Sequence, residues 1–161
     1  MTELFLPGTL GWLDAMMRIG AATLLPLAIG LERFVHKKPI DFRPFVIISV
    51  AACALILGAF ELMSEGRDPV DPTRVMEGVI TGIGFIGAGA MFRQGKFVQG
   101  AGSAASIWCA GAIGLLCGMG EVWLAGIVAA IVLALLLISG PFTGNWDPAS
   151  VQSERDSEDA L

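Results

Sequence analysis

The sequence predicts an all-α membrane protein: a bundle of five transmembrane helices with the N-terminus outside and the C-terminus cytoplasmic. Three observations carry that expectation. Of 161 residues, 55% are hydrophobic and only 16% charged, with a mean hydropathy of +0.73. A soluble domain carries about a quarter charged residues to cover its surface. Five stretches approach the roughly 20 apolar residues that cross a ~30 Å hydrocarbon core, and the connections between them alternate in their content of Lys and Arg. The composition excludes nucleic-acid binders, secreted disulfide scaffolds and disordered chains. The expected medium is the lipid bilayer.

The spans are Leu13–Leu31, Phe45–Met63, Arg74–Phe92, Ala104–Met119 and Val122–Ile138. The fourth and fifth lie in long uncharged runs, joined by Gly118-Met119-Gly120-Glu121, where glycine can take the dihedrals of a tight helical hairpin. The first three are less clean. Only 13 uncharged residues separate Arg18 from Glu32, and 15 separate Glu77 from Arg93, so an ionisable group must enter the membrane. Pro26 interrupts the first span and deprives a carbonyl one turn earlier of its helical donor. Such backbone survives in lipid only where protein or water covers it, so Pro26 is expected to face the bundle interior.

Orientation follows from the basic residues. Arg33, Lys37, Lys38 and Arg43 follow the first span, and Arg93 and Lys96 follow the third. The connection after the second holds Arg67 and Arg74 diluted by Glu65, Asp68 and Asp71, and the next outer one holds neither Lys nor Arg. The positive-inside rule places the first and third connections in the cytoplasm. The charge of −5 is concentrated at the end of the chain. Residues 1–139 carry nine Lys/Arg against ten Asp/Glu, whereas 140–161 carry Arg155 against Asp147, Glu154, Asp156, Glu158 and Asp159. The chain thus divides into a five-helix transmembrane domain, 1–139, and an acidic disordered cytoplasmic tail, 140–161. Met1-Thr2-Glu3-Leu4-Phe5 lacks the basic region of a signal peptide. Cys53, Cys109 and Cys117 fall inside spans and read as small packing residues. His36 reads as solvated or lipid-facing in a basic loop.

With spans alternating in direction, Asp14, Arg18, Glu61 and Glu77 all fall toward the outer leaflet as an intramembrane charge cluster. A charged Arg in the middle of a bilayer costs about 2.5–3.5 kcal/mol on insertion scales and is rarely left unpaired. Asp14 stands four residues before Arg18 on one helix face, and Glu61 and Glu77 are candidates from neighbouring helices. A structural ion pair with snorkelling carboxylates is one reading, and a cation or proton site is the other. A cytoplasmic-face cluster joins Glu32, Arg33 and Arg43. Glu32 lies within about 40° of Arg18 on a straight helix, which gives the first span a polar stripe.

Thr81-Gly82-Ile83-Gly84-Phe85-Ile86-Gly87-Ala88-Gly89 contains a literal G-x-G-x-x-G, but in mid-span rather than at the strand-to-helix turn a dinucleotide requires. Neither nucleotide nor cofactor is expected. Small residues instead let membrane helices approach closely. Gly78, Gly82 and Gly89 fall within about 40° on one face, and Glu77, Thr81, Gly84 and Ala88 within about 60° on another. Gly78, Gly82, Gly84, Gly87 and Gly89 are therefore the expected helix-packing residues, the third span the expected central helix, and Glu77 expected to point at a neighbour.

At these residues the chain resembles the MgtC/SapB family of polytopic bacterial inner-membrane proteins. The matching pieces are Gly30-Leu31-Glu32-Arg33, Asp71-Pro72-Thr73-Arg74-Val75, Gly82 through Gly89, Gly95, Gly100, Ala104-Ala105-Ser106-Ile107-Trp108 and Gly114-Leu115-Leu116-Cys117-Gly118-Met119-Gly120. Where the family usually has an amide ahead of the glycine run, this chain has Gly78 beside Glu77. Gln99 replaces an Arg common before the fourth span, and Ala101-Gly102-Ser103 replaces a Leu-Thr-Thr stretch. The resemblance implies five helices, an outside N-terminus, multi-pass residence in the bacterial inner membrane and a link to magnesium homeostasis.

Two functions follow as expectations. The first is a regulatory or adaptor protein linked to magnesium and ion homeostasis, acting through helix contacts with another membrane protein. The second is a Mg2+ or proton transporter or channel subunit using Arg18, Glu77, Asp14 and Glu61, since magnesium takes oxygen ligands and keeps waters. Five helices without an evident inverted repeat make a poor stand-alone transporter, and a homo-oligomer could supply the missing pathway. An enzyme is not expected: the sequence offers neither a Ser/His/Asp or Cys/His set nor a metal-ligand spacing, and any metal ligands are left open.

Overall fold

Short side chains decide which helix stands at the centre. The computed structural model describes residues 11–36, 41–64, 71–94 and 97–139. They form helices α1 (Trp12–Val35), α2 (Arg43–Ser64), α3 (Pro72–Gly89), α4 (Ala101–Met119) and α5 (Val122–Ser139). Between α3 and α4 lies a small antiparallel hairpin of β1 (Phe92–Gln94) and β2 (Phe97–Gln99), with Arg93 opposite Val98. Helix α4 touches each of the other four helices. It is uncharged throughout and rich in Gly, Ala and Ser. Where apolar burial gains little over lipid, closely approaching backbones supply the packing energy. A side chain at Gly114 would run into the Ser49 carbonyl of α2, and a Cβ at Gly118 would lie 2.8 Å from the Cys53 carbonyl oxygen.

These contacts also fix directions. Ser49 and Cys53 meet Gly114 and Gly118, so α2 and α4 run parallel; Ile83 and Gly87 meet Gly111 and Ala104, so α3 runs antiparallel to α4. Helix α1 is antiparallel to α4, with Arg18 at Gly118 and Arg33 at Ser103. The α1–α2 corner closes on Phe42. A Cβ at Gly30 would lie 2.9 Å from its Cα, and the Phe34 ring meets the Phe42 ring edge-on at 6.0 Å. The α4–α5 turn uses Gly120 at φ +91°, a left-handed conformation that favours glycine. Helix α3 opens with Pro72 behind Asp71, whose carboxylate accepts the Thr73 N–H at 2.9 Å.

The core gathers Ala22 and Ile29 of α1, Phe45, Cys53 and Leu57 of α2, Ile83 of α3, Ile107, Ala110, Ile113 and Cys117 of α4, and Ala125 and Ala129 of α5. Pro26 is fully buried, as its broken hydrogen bond requires. The three cysteines are free, with Cys53 and Cys117 buried in helix interfaces.

Two expectations are corrected. The third helix ends at Gly89 rather than continuing to Phe92, because Phe92–Gln94 leaves the helix to pair as a strand. The central helix is α4, not α3: it touches all four other helices, and its glycines meet α2 backbone at Ser49 and Cys53 and the α3 side chain of Ile83, whereas most of α3's glycines meet nothing within 4 Å. Three helices are long and apolar enough to cross a membrane, Trp12–Val35, Arg43–Met63 and Ala101–Met119, and Val122–Ile138 is a shorter apolar helix. The N-terminal five residues, Lys37, Lys38, Arg67, Lys96 and the acidic tail lie outside the described residues.

Candidate functional site

Helix α1 carries two buried arginines, each 8% exposed, and each meets one end of α4. Both intervals, Arg18 to Arg33 and Ser103 to Gly118, are fifteen residues, about 22 Å of helix. At one end Arg18 Nη2 lies 2.7 Å from Asp14 Oδ2, and its Nη1 donates to the Gly118 carbonyl at 2.9 Å. This is a favourable place for a cation, because the last carbonyls of α4 concentrate partial negative charge. A Cβ at Gly120 would press the guanidinium at 3.2 Å, so this glycine serves both the turn and the arginine. Arg18 Nε is buried without a hydrogen-bond partner.

At the other end Arg33 Nη2 donates to Ser103 Oγ at 2.6 Å. Arg33 Nε and Glu32 Oε2 are both buried without a hydrogen-bond partner. Glu32 turns instead to His36, whose Nδ1 is 3.0 Å from Glu32 Oε1 and 2.9 Å from the Glu32 carbonyl oxygen. His36 itself is exposed.

Of the four residues expected in an intramembrane charge cluster, the structure joins Asp14 to Arg18. Glu61 is exposed on α2, eight residues beyond Cys53, which stands level with Gly118; that is about 12 Å further along the helix. Glu77 stands nearer the level of Gly118 but is exposed on α3, which corrects the expectation that it points at a neighbouring helix. Helix α3 packs instead through Val75, Met76, Val79, Ile80 and Ile83. Of the expected cytoplasmic-face cluster, Arg33 bonds Ser103 and Glu32 meets His36, while Arg43 is exposed with Nε 3.3 Å from Asp41 Oδ2. Among the described residues, no three His, Cys, Asp or Glu side chains gather as a metal ion would require.

The α3 glycines divide unevenly. Gly87 is buried, and a Cβ there would sit 3.5 Å from the Ala104 carbonyl oxygen. Gly78, Gly82, Gly84 and Gly89 have open space where a Cβ would stand, and all but Gly84 are exposed. With Thr81 and Phe85, the latter 83% exposed, Gly78, Gly82 and Gly89 form an outward face of small residues around one aromatic ring. A mainly apolar groove is lined by Ala54, Leu55, Gly58, Ala59, Leu62 and the carboxylate-bearing Glu61 of α2 and by Val75 of α3. Ser103, the Gly118 carbonyl and Gly120 were not foreseen as partners of the arginines. The equal spacing in α1 and α4 was the available signal, once the two are recognised as antiparallel.

Three helices long and apolar enough to cross a membrane, bundled with a shorter apolar one, mark a helical membrane protein. The chain belongs to the MgtC family, whose family model matches residues 19–144. It is 35% identical to Protein SapB of Bacillus subtilis over 112 residues, 66% of this chain and 48% of that protein. It is 32% identical to Protein MgtC of Salmonella typhi over 142 residues, 87% of this chain and 59% of that protein. Against Protein MgtC of Brucella abortus the identity is 32% over 123 residues, 76% and 50% of the two chains. The chain thus spans about half of the relatives it matches. No solved structure matches it.

Proposed function

We propose that this chain is a multi-pass inner-membrane regulatory or adaptor protein linked to magnesium and ion homeostasis, acting through helix contacts with another membrane protein. The observation that carries the reading is the outward face of α3. Gly78, Gly82 and Gly89 are exposed with open space beside their Cα atoms, and a membrane helix gains most from a close partner where its residues are small. Helix α3 also holds Arg74 and Glu77, both exposed, and is not among the helices apolar enough to cross by themselves. A neighbour covering it would relieve that cost. The membrane reading draws further support from exposed Leu24, Ile47, Leu55, Ile131 and Leu135 along the helices. Trp12 and Trp123 are exposed at the starts of α1 and α5, as in interfacial aromatic belts. The link to magnesium rests on family membership.

Crosslinking in membranes should capture a second membrane protein on the wild type. Gly82→Leu or Gly89→Leu should release it while leaving the fold intact, because a Cβ at either position meets nothing within 4 Å among the described residues. Recovery of the lone protein under every condition counts against the adaptor. Cation flux through proteoliposomes, abolished by Glu77→Gln, would replace it with transport.

A further inference from the structure

We propose that Arg33 and the first turn of α4 form a binding site for a phosphate-type oxyanion. The two ends of α4 differ in a way that Arg18 makes plain. Arg18 meets the carbonyl end of the helix, where partial negative charge and Asp14 offset its own charge. Arg33 meets the opposite end, where the first amides concentrate partial positive charge. A guanidinium beside a helix N-terminus is a like-sign juxtaposition, and here it is buried.

Among the described residues, no hydrogen bond to an anionic group resolves it. The N-cap of α4 is Gly100, with φ +86° and no capping side chain. The first amide of the regular ladder, Ala104 N–H, bonds the Gly100 carbonyl at 2.8 Å, which leaves Ala101, Gly102 and Ser103 as the uncapped donors of the first turn. Arg33 is more than nine-tenths buried, and its Nε has no partner. Glu32 is the obvious counterion, yet its Oε1 faces His36 and its Oε2 is also buried without a partner. The two neighbours therefore do not satisfy each other by hydrogen bonding.

The shape of the donors selects the ligand class. A guanidinium presents parallel N–H donors that match two oxygens of a phosphate, and uncapped helix amides supply the complementary anion cradle. Gly102 is exposed, and a Cβ there would stand in ordinary contact, 3.8 Å, with both Nη1 and Nη2 of Arg33, so the guanidinium lies directly against the first turn. Ser103 Oγ, already bonded to Arg33 Nη2, holds the fork beside the first turn. The oxyanion could be a phospholipid headgroup or free phosphate, since both present the same oxygens.

The test uses the full chain in a phosphate-free maltoside detergent. Three additions are compared at matched ionic strength: sodium phosphate, a short-chain phosphatidylglycerol and a diacylglycerol lacking phosphate. Phosphate, the phosphatidylglycerol or both should raise the melting temperature by about 3 °C or more near saturation, and the diacylglycerol should not. A response to the phospholipid alone assigns a headgroup; a response to both assigns the oxyanion itself. Arg33→Gln should lose the response. Gly102→Asp, which places a carboxylate at the first turn within reach of the guanidinium, should melt higher than wild type without any addition and respond to none. This second variant decides the matter even if Arg33→Gln does not fold. No response in the wild type, or an undiminished response in Gly102→Asp, overturns the site.

Discussion

Arg18 is held by a carboxylate and by a backbone carbonyl, and the two supports should fail separately. Arg18→Leu removes both, leaving Asp14 without its ion pair and the Gly118 carbonyl without this donor. Breaking a buried pair costs about 3–5 kcal/mol. The lower end is expected here, because the Asp14 side chain is 33% exposed and partly screened. Arg18→Leu should therefore lower both membrane abundance and melting temperature, and adding Asp14→Asn should restore part of the loss. Unchanged stability in the single variant would mean that the pair contributes nothing. Asp71 gives a second residue-scale expectation. Hydrogen bonds from the Thr73 hydroxyl and N–H hold its carboxyl below the usual carboxylate range. A lowered folded value means the cap is fully present above the ordinary Asp pKa and lost as pH falls through the depressed one. Corrected for intrinsic exchange, the protection of the amides in the first turn of α3 should fall at acid pH in the wild type. Asp71→Ala should show the low protection throughout, without that change with pH. The pairing of Arg18 with Asp14 was legible in the sequence because four residues along one helix guarantee proximity. The pairing of Arg33 with Ser103 was not, because it depends on how two distant helices lie against each other.

At the scale of helices, α3 and α4 both advertise small residues, and sequence pattern could not say which row was already occupied. The span positions were legible from apolar length alone, and α1, α2, α4 and α5 lie within a few residues of where that length puts them. The roles of the glycines were not. A row of glycines records that something can come close, and leaves open whether it is a helix of the same chain. In α4 the row is filled: Gly111, Gly114 and Gly118 are buried against Ile83, Ser49 and Cys53. In α3 most of it is open. The hairpin after α3 escaped the reading for a related reason, since Arg93 and Lys96 registered as loop charges while three-residue strands carry almost no periodic signal. The contrast predicts opposite phenotypes for one kind of substitution. Gly114→Val drives a branched side chain into the Ser49 backbone, where overpacking costs about 1–3 kcal/mol or more, and should depress melting sharply. Gly82→Val should melt close to wild type, with an effect confined to partner capture. Equal destabilisation by both would show that the α3 face is buried within the chain's own fold.

For the whole molecule, the contacts fix relative directions: α1 and α3 run one way, α2 and α4 the other. That alternation is what successive membrane crossings require, and the absolute sense is a proposal from the basic residues. Arg33 and Arg43 lie at the end where α1 finishes and α2 begins, and the proposed orientation, taken from the positive-inside rule, puts that end in the cytoplasm. Helix α3 is the weakest member by composition, yet its 18 residues make about 27 Å of helix, close to the ~30 Å of a hydrocarbon core. Single cysteines can test both propositions, because Cys53 and Cys117 are buried and Cys109 is partly covered, which keeps background labelling low. A membrane-impermeant maleimide applied to intact cells should label Gly11→Cys, at the exposed start of α1. Arg43→Cys and Met91→Cys, exposed at the start of α2 and just past α3, should react only after the membrane is opened. Reversal of the whole pattern would invert the molecule while preserving its crossings. Labelling of Met91→Cys together with Gly11→Cys in intact cells would be more damaging, because α3 would then lie on the membrane surface, and its open glycine face would meet water or headgroups rather than a partner helix.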